Sequence, residues 1–496
     1  MNTTARIFDK DSSVWSDDLD VRKSIDNRLG WLDAIEFSRD NQAGIDQFVA
    51  QVQQQGFQQV ILIGMGGSCL APEVFSHLFA EEAAGLELLI LDSTCVEQIL
   101  AVRNSVDLKT SLFVISSKSG GTIETRYLFR YFYQQLIELQ GDAAGQQFVA
   151  ITDGGSELEQ LALNHNFMHC FVNPSDIGGR FSALSYFGLV PAALMGVSLE
   201  RLLDRAQQAS DACLAGQGAG VQLGEWLVAQ YQSEQVDKLI IQVPALLEPL
   251  VWWIEQLVAE SLGKQGQGVM PVLNSDNVDK PFAMAKTLHM NIGESKQDFS
   301  DKAHAYWNLQ DKYDVASQFF HWEFATALAG AYININPFDE PNVTEAKQQT
   351  KKLLEQSITK ELVLPEEQPL ASLWSKAEAD SYVAVLAYWP ITDGNDQVLR
   401  DFRLRIEALT GLPVSVNYGP RYLHSTGQLH KGGKRQGLFI VLTQADQQEL
   451  PIPGQAYTFN TLCRAQALGD FQILCDKGLP AVFYCLESSG DDLPEL

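Results

Sequence analysis

Basic residues are scarce in this chain. Only 35 Lys and Arg stand against 62 Asp and Glu over 496 residues, a formal net charge of −27. A surface this acidic repels phosphate backbones, which excludes nucleic acid as a partner. An anionic substrate would have to meet a local positive field built from a few cations and backbone N–H groups. Cysteine is sparse as well. Cys69, Cys95, Cys170, Cys213, Cys463, Cys475 and Cys485 are odd in number, widely spaced and form no C-x-x-C. That pattern fits unpaired thiols in a reducing compartment and argues against a structural zinc site. Most of the seven are expected to be small buried hydrophobes. Long hydrophobic runs are missing too. YFGLVPAALMGV, Tyr186–Val197, falls well short of the roughly 20 residues that span a bilayer. The start MNTTARIFDKDSSVW is polar and does not read as a secretory leader. No membrane partner is expected, and the cytoplasm is the expected compartment. No His/Cys/Asp cluster has metal-ligand spacing, so no metal is expected.

What is present is a globular composition, 46% apolar and 20% charged, in a chain long enough for two or three domains. Short apolar runs rich in β-branched residues alternate with helical patterns. Strands are expected at Val60–Gly64, Leu86–Asp92, Leu112–Ser117, Phe148–Asp153 and His169–Val172. A second set opens at Lys238–Val243, after a helical stretch Leu199–Gln232. A third follows the Pro- and Glu-containing linker Leu364–Leu370, with strands at Tyr382–Trp389, Val414–Gly419, Gly437–Thr443 and Ala481–Leu486. Non-alternating strands interleaved with helices imply parallel sheets covered on both faces. The expected fold class is α/β: two doubly wound parallel-sheet domains and a smaller C-terminal α/β domain. The expected boundaries are a helical arm over 1–44, a first domain over 45–215, a second over 216–362 and a third over 371–496. The acidic tail SSGDDLPEL is expected to fray.

Three segments carry chemistry. GMGGSCLAPEV, Gly64–Val74, is a glycine-rich strand-to-helix turn where Gly67 admits a ligand to the backbone and Ser68 adds a hydroxyl. It departs from the dinucleotide fingerprint, since Cys69 stands where a third glycine would be. SSKSGGTIET, Ser116–Thr125, offers the hydroxyls of Ser117, Ser119 and Thr122, with Lys118 as a cation. Such convergent donors at a helix start suit a monophosphate, although an N-cap cluster would use the same residues. DIGGRFSALSYFGL, Asp176–Leu189, sets Gly179 before Arg180, whose permanent charge can stabilise an oxyanion.

These three segments resemble the phosphosugar-binding loops of phosphoglucose isomerases, a family built from two sugar-isomerase (SIS) domains. GGRFS is highly specific to it. DSSVWSDDLDVRKSIDNRLGWLDAI and NYGPRYLHSTGQLHKGG, Asn417–Gly433, are similar to the isomerase half of bifunctional transaldolase/phosphoglucose isomerase proteins. The resemblance implies interconversion of glucose 6-phosphate and fructose 6-phosphate, with a sugar phosphate as partner and no cofactor. It also implies a homodimer or a fused transaldolase partner.

The family's base lies in an E-S-x-G-K segment, which here is AESLGKQGQG, so the resemblance implies Glu260 as the proton shuttle between C2 and C1. Arg180 would stabilise the enediolate. The family's lysine, seven residues after a D-Q pair, corresponds to Lys347 in NPFDEPNVTEAK, with Glu340 where the family commonly has Gln. The histidine that opens the sugar ring, supplied in the family by a neighbouring subunit, stays open. His289, His304 and His321 lie in the expected interval without the family context, and His424 and His430 of the YLHSTGQLHKGG loop are alternatives. A non-catalytic phosphosugar-binding regulator, or an isomerase of mannose 6-phosphate, are the competing readings.

Overall fold

A computed structural model describes residues 2–81, 85–274, 282, 285–294, 297–445, 448–487 and 493–496. Three parallel sheets organise the chain. The first contains β1 (Gln59–Gly64), β2 (Glu87–Leu91), β3 (Ser111–Ser116), β4 (Phe148–Asp153) and β5 (His169–Asn173), in the order β2-β1-β3-β4-β5. The second contains β6 (Lys238–Gln242), β7 (Met270–Leu273), β8 (Leu288–Glu294) and β9 (His304–Asn308), in the order β7-β6-β8-β9. The third contains β10 (Tyr382–Ala387), β11 (Val414–Tyr418), β12 (Gly437–Gln444) and β13 (Ala481–Leu486), in the order β11-β10-β12-β13. The central strands β3 and β10 are buried at every residue, which is why their sequences read as continuous apolar runs.

The second sheet was legible only at β6. β7 is four residues long, and β9 alternates exposed and buried positions. The apolar run of β7 is too short, and the sequence of β9 too mixed, to separate from their surroundings by pattern alone.

The helical arm does not end at residue 44, because Ala34–Gln54 is one continuous helix leading into β1. The arm's first residues pack on the buried helix Val315–Tyr332. Phe8 stacks on Phe324 with ring centroids 5.2 Å apart, and Trp15 Nε1 donates to the Ala327 carbonyl at 2.8 Å. Trp15 also sets its edge on Phe338 at 5.1 Å, and Phe338 contacts Phe181 at 5.1 Å. This aromatic cluster braces the loop after the helix against the GGRFS turn. The stretch Leu199–Gln232 is broken into two helices, Leu199–Leu214 and Ala219–Glu234, with Gly216 at φ +73° between them.

All seven cysteines are free thiols, but only Cys69, Cys95 and Cys213 are buried, fewer than expected. In the tail, residues 488–492 lie outside the described residues, while Leu493 and Leu496 pack against the third core instead of fraying. Among the described residues, no helix is long and apolar enough to cross a membrane.

Candidate active site

The three motif turns stand at the carboxyl ends of β1, β3 and β5, where ligands of such sheets bind. The first and third touch. A methyl group at Gly67 would lie 2.0 Å from the Gly179 carbonyl oxygen, so only glycine lets these backbones meet. Gly66 holds φ +55°, and a methyl group there would lie 2.6 Å from both Gln256 Nε2 and the His424 carbonyl oxygen. Ser68 is half-buried, and its carbonyl accepts from Ser116 Oγ at 2.8 Å.

In the second turn, Ser117 Oγ and Thr122 Oγ1 lie 3.2 Å apart, and Ser117 Oγ accepts from Gly120 N at 3.2 Å. Ser119 Oγ accepts from Gly121 N at 3.2 Å. Thr122 is the N-cap of the helix Ile123–Gln140, yet its side chain makes no capping bond. The hydroxyls therefore do not simply cap the helix, and its N–H groups face the turn. Lys118 is turned away from these hydroxyls. Its ammonium is held by Asp153 and by the Ser175 carbonyl at 2.8 Å.

Glu260 sits near the end of the helix Glu248–Leu262 and is 5% exposed. Gln256, one turn earlier, donates Nε2 to Glu260 Oε2 at 3.1 Å and also to the His424 carbonyl at 2.7 Å. Arg180 Nη1 lies 3.4 Å from Glu260 Oε1 and 3.0 Å from Glu340 Oε2. The rest of the guanidinium donates to Ser261 Oγ at 3.1 Å and to the carbonyls of Pro337 and Asp339, each at 3.1 Å. Burial pushes the Glu260 carboxyl above its ordinary range. Arg180 pulls it back, and the charge of Glu340 adds to the rise. Glu340 moves the other way: burial works to raise it, but the guanidinium of Arg180 holds it below the usual range. Lys264, 2% exposed, is bonded to Asp339 Oδ1 at 2.8 Å and the Asn336 carbonyl at 2.9 Å, and burial lowers its ammonium to about 8. Arg180 and Lys264 thus grip one loop, Asn336–Glu340, from two sides.

The third sheet contributes His424, on the turn Arg421–His424 that follows β11. Its Nε2 lies 2.9 Å from Glu124 Oε1. Glu124 stands in the first turn of the Thr122 helix and also accepts from Gln466 Nε2 at 2.7 Å. Burial works to raise the Glu124 carboxyl, but His424 and the more distant charge of Lys347 leave it below its ordinary range. Lys347 is exposed on the helix Val343–Ser357. His430 is not brought to this group. It is 3% exposed, its Nδ1 lies 2.8 Å from the Tyr382 hydroxyl, and burial lowers it to about 3. The short helix Gly427–Gly432 turns it against Tyr382 and Phe439, in the core between the third sheet and the first. His321 is likewise buried and accepts from Gly220 N at 3.1 Å.

A carboxylate, a guanidinium, an imidazole and a hydroxyl-rich helix start therefore converge from all three sheets. The family model for phosphoglucose isomerase matches residues 10–279. The chain belongs to the phosphoglucose isomerase family. It is 35% identical over 219 residues to a glucose-6-phosphate isomerase of a Cyanothece species, a match covering 42% of this chain and 40% of that one. A glucose-6-phosphate isomerase of Campylobacter jejuni is 32% identical over 45% of this chain and 54% of its own. The chain thus spans about half the length of these two relatives. One from Mycoplasmopsis pulmonis is 26% identical over 66% of this chain and 90% of its own. Among solved structures, a hypothetical protein from Thermus thermophilus shares the fold with a TM-score of 0.59 at 24% identity. That match covers 70% of this chain and 93% of that one. A glucose-6-phosphate isomerase from Chlamydia trachomatis does so with a TM-score of 0.56 at 17% identity, over 72% and 79%.

Two residues that bond to the candidate site escape the sequence reading: Glu124 and Gln256. Both had a local signal. Glu124 follows two residues after Thr122 in the first helical turn, and Gln256 precedes Glu260 by four residues, the spacing that puts two side chains on one helix face.

Proposed function

We propose that this chain interconverts glucose 6-phosphate and fructose 6-phosphate through an enediol(ate) intermediate. The names of its relatives and the chemistry of the site support the same reading. The phosphate binds at Ser117, Ser119 and Thr122, with the free N–H groups of the helix start and the backbone of Gly67 and Gly179 close by. Ser68 stands at the edge of that cradle. His424, oriented by the Glu124 carboxylate, exchanges a proton with the ring oxygen and O1 to open and close the sugar. Glu260 takes the proton from C2 of the open aldose and returns it to C1. Its buried setting brings its basicity nearer to neutral pH, where a base that must also give the proton back works best. Arg180 stabilises the negative charge that develops on the enediolate oxygen. Lys347 adds positive charge on the Glu124 side.

The observation that carries this reading is one continuous relay: Glu124 to the His424 ring, the His424 carbonyl to Gln256, Gln256 to Glu260, and Glu260 to Arg180. It ties the phosphate turn to the base across all three sheets. A phosphosugar sensor without catalysis would need the hydroxyl turn but not the base and guanidinium behind it. Glu260→Gln is expected to lower fructose 6-phosphate turnover by about 10²–10⁴-fold in a coupled assay while sugar-phosphate binding persists. Unchanged turnover would remove Glu260 from the mechanism.

A further inference from the structure

A cavity of about 320 Å³ lies on the other flank of the Glu260 helix. It is bordered by Ala245 and Leu273, at the carboxyl ends of β6 and β7, and by Ile391 and Val416–Tyr418, at those of β10 and β11. Open α/β sheets bind ligands outside their strand carboxyl ends. Here two sheets present those ends to one volume. Neither Glu260, Arg180 nor the Ser117 turn lines it.

In a chain of net charge −27, three arginines border this one space: Arg400, Arg403 and Arg421. Arg400 and Arg403 lie one turn apart on the helix Asp393–Thr410, and Arg403 Nη1 is ion-paired with Glu407 Oε1 at 3.1 Å. Arg421 is ion-paired with Glu73 and with Asp92 at 3.0 Å, and its guanidinium covers the Trp252 ring at 5.3 Å. Of the carboxyls that line the space, two are engaged by neighbouring side chains. Glu255 is pushed up to about 8 by burial and accepts from Asn417 Nδ2 at 3.2 Å, so at neutral pH it offers a hydroxyl. Asp396 is raised by burial and takes the Tyr418 hydroxyl as a donor. Glu248, at the first position of its helix, remains the acidic rim. Trp252, Leu399 and Val416 supply an apolar wall.

We propose that this cavity is a regulatory site for a small organic monophosphate with a planar or apolar body. The phosphate lies against Arg400 and Arg403, and the body lies along Trp252, Leu399 and Val416. The space has the volume of a metabolite site, and a guanidinium pair suits a phosphate. The cavity touches both halves of the catalytic relay. Arg421, Tyr422 and Ser425 line it and belong to the turn that carries His424. Glu255 lines it and adjoins Gln256, which holds both Glu260 and the His424 carbonyl. An occupant therefore bears on the position of the ring-opening imidazole relative to the base. This regulatory half rests on the isomerase reading above; the binding half does not.

The test uses AMP as a phosphate with a planar body and adenosine as the same body without charge, both titrated by calorimetry into the full chain. AMP is expected to bind, with adenosine at least about tenfold weaker. Arg400→Glu is expected to weaken AMP by at least about tenfold, and the milder Arg400→Gln by less, while fructose 6-phosphate turnover without AMP stays at the wild-type level. No AMP binding at about 5 mM, equal binding of adenosine, or AMP binding indifferent to both Arg400 variants would overturn the site. Competitive displacement of AMP by fructose 6-phosphate would assign it to the catalytic cleft and overturn it too. AMP binding that leaves turnover unchanged would overturn the regulatory half.

Discussion

Glu255 and Glu260 lie on one helix, both 5% exposed and both raised by burial, yet they face different partners. Five residues set them about 140° apart around the axis, so each looks onto a different cleft. Glu260 meets a guanidinium at 3.4 Å and an amide donor at 3.1 Å. Glu255 meets Asn417 and the Leu273 backbone, hydrogen bonds that reduce the effect of burial without reversing it. The difference teaches how two equally buried carboxyls come to behave differently. Burial alone yields a neutral acid. Burial opposed by a fixed cation keeps the charged form within reach, as the proposed role of Glu260 requires.

The comparison breaks most visibly at the cation. Arg180→Met leaves Glu260 and Glu340 facing each other without their shared partner. Turnover is expected to fall by about 10²–10³-fold, and unfolding free energy by about 3–5 kcal/mol, read by coupled assay and denaturant titration. An Arg180→Met protein with wild-type turnover would mean that the guanidinium is not what separates the two glutamates.

The next test sharpens the other side. Glu255 titrates near 8 in the folded chain against 4.5 for an ordinary glutamate. Between those values the folded state holds more protons than the unfolded one. Its contribution to stability is therefore full below about 4.5 and is lost as pH rises toward 8, with a slope of up to about 1.4 kcal/mol per pH unit. Calorimetric melting of Glu255→Gln across this window should show a flatter pH dependence than wild type. Parallel curves would show that Glu255 does not carry the proton.

The smallest effect is expected at Glu340. Its charge raises Glu260, and it draws on the same Arg180 nitrogen. Glu340→Gln should move the acid limb of the kcat/KM profile to lower pH with a modest change in rate. A shift to higher pH would contradict the electrostatics described here.

Much of the candidate site was legible in the sequence because its chemistry is local. The hydroxyls of Ser117, Ser119 and Thr122, the glycines around Arg180, and Glu260 before Gly263-Lys264 are each defined within a few residues. Lys118 was misleading for the same reason. Its neighbours in sequence are hydroxyls, but its partner, Asp153, is 35 residues away on the next strand. The choice between His424 and His430 had no local answer either. Six residues separate them in one polar loop, and only the packing of the third sheet sends one to Glu124 and the other into the core.

By itself, then, the sequence determined the strand–turn–helix units, the order of the three α/β sets and the residue types at each turn. Those features depend on apolar runs, glycine conformations and hydroxyl density, which act over a handful of neighbouring residues. Only the tertiary structure decided which charges meet: His424 with Glu124 across 300 positions, Arg180 between Glu260 and Glu340, and the two flanks of one helix turned toward two clefts. Such contacts depend on how three sheets bury their faces against one another, and they are also what distinguishes two equally buried carboxyls, Glu260 against a guanidinium and Glu255 against amide donors.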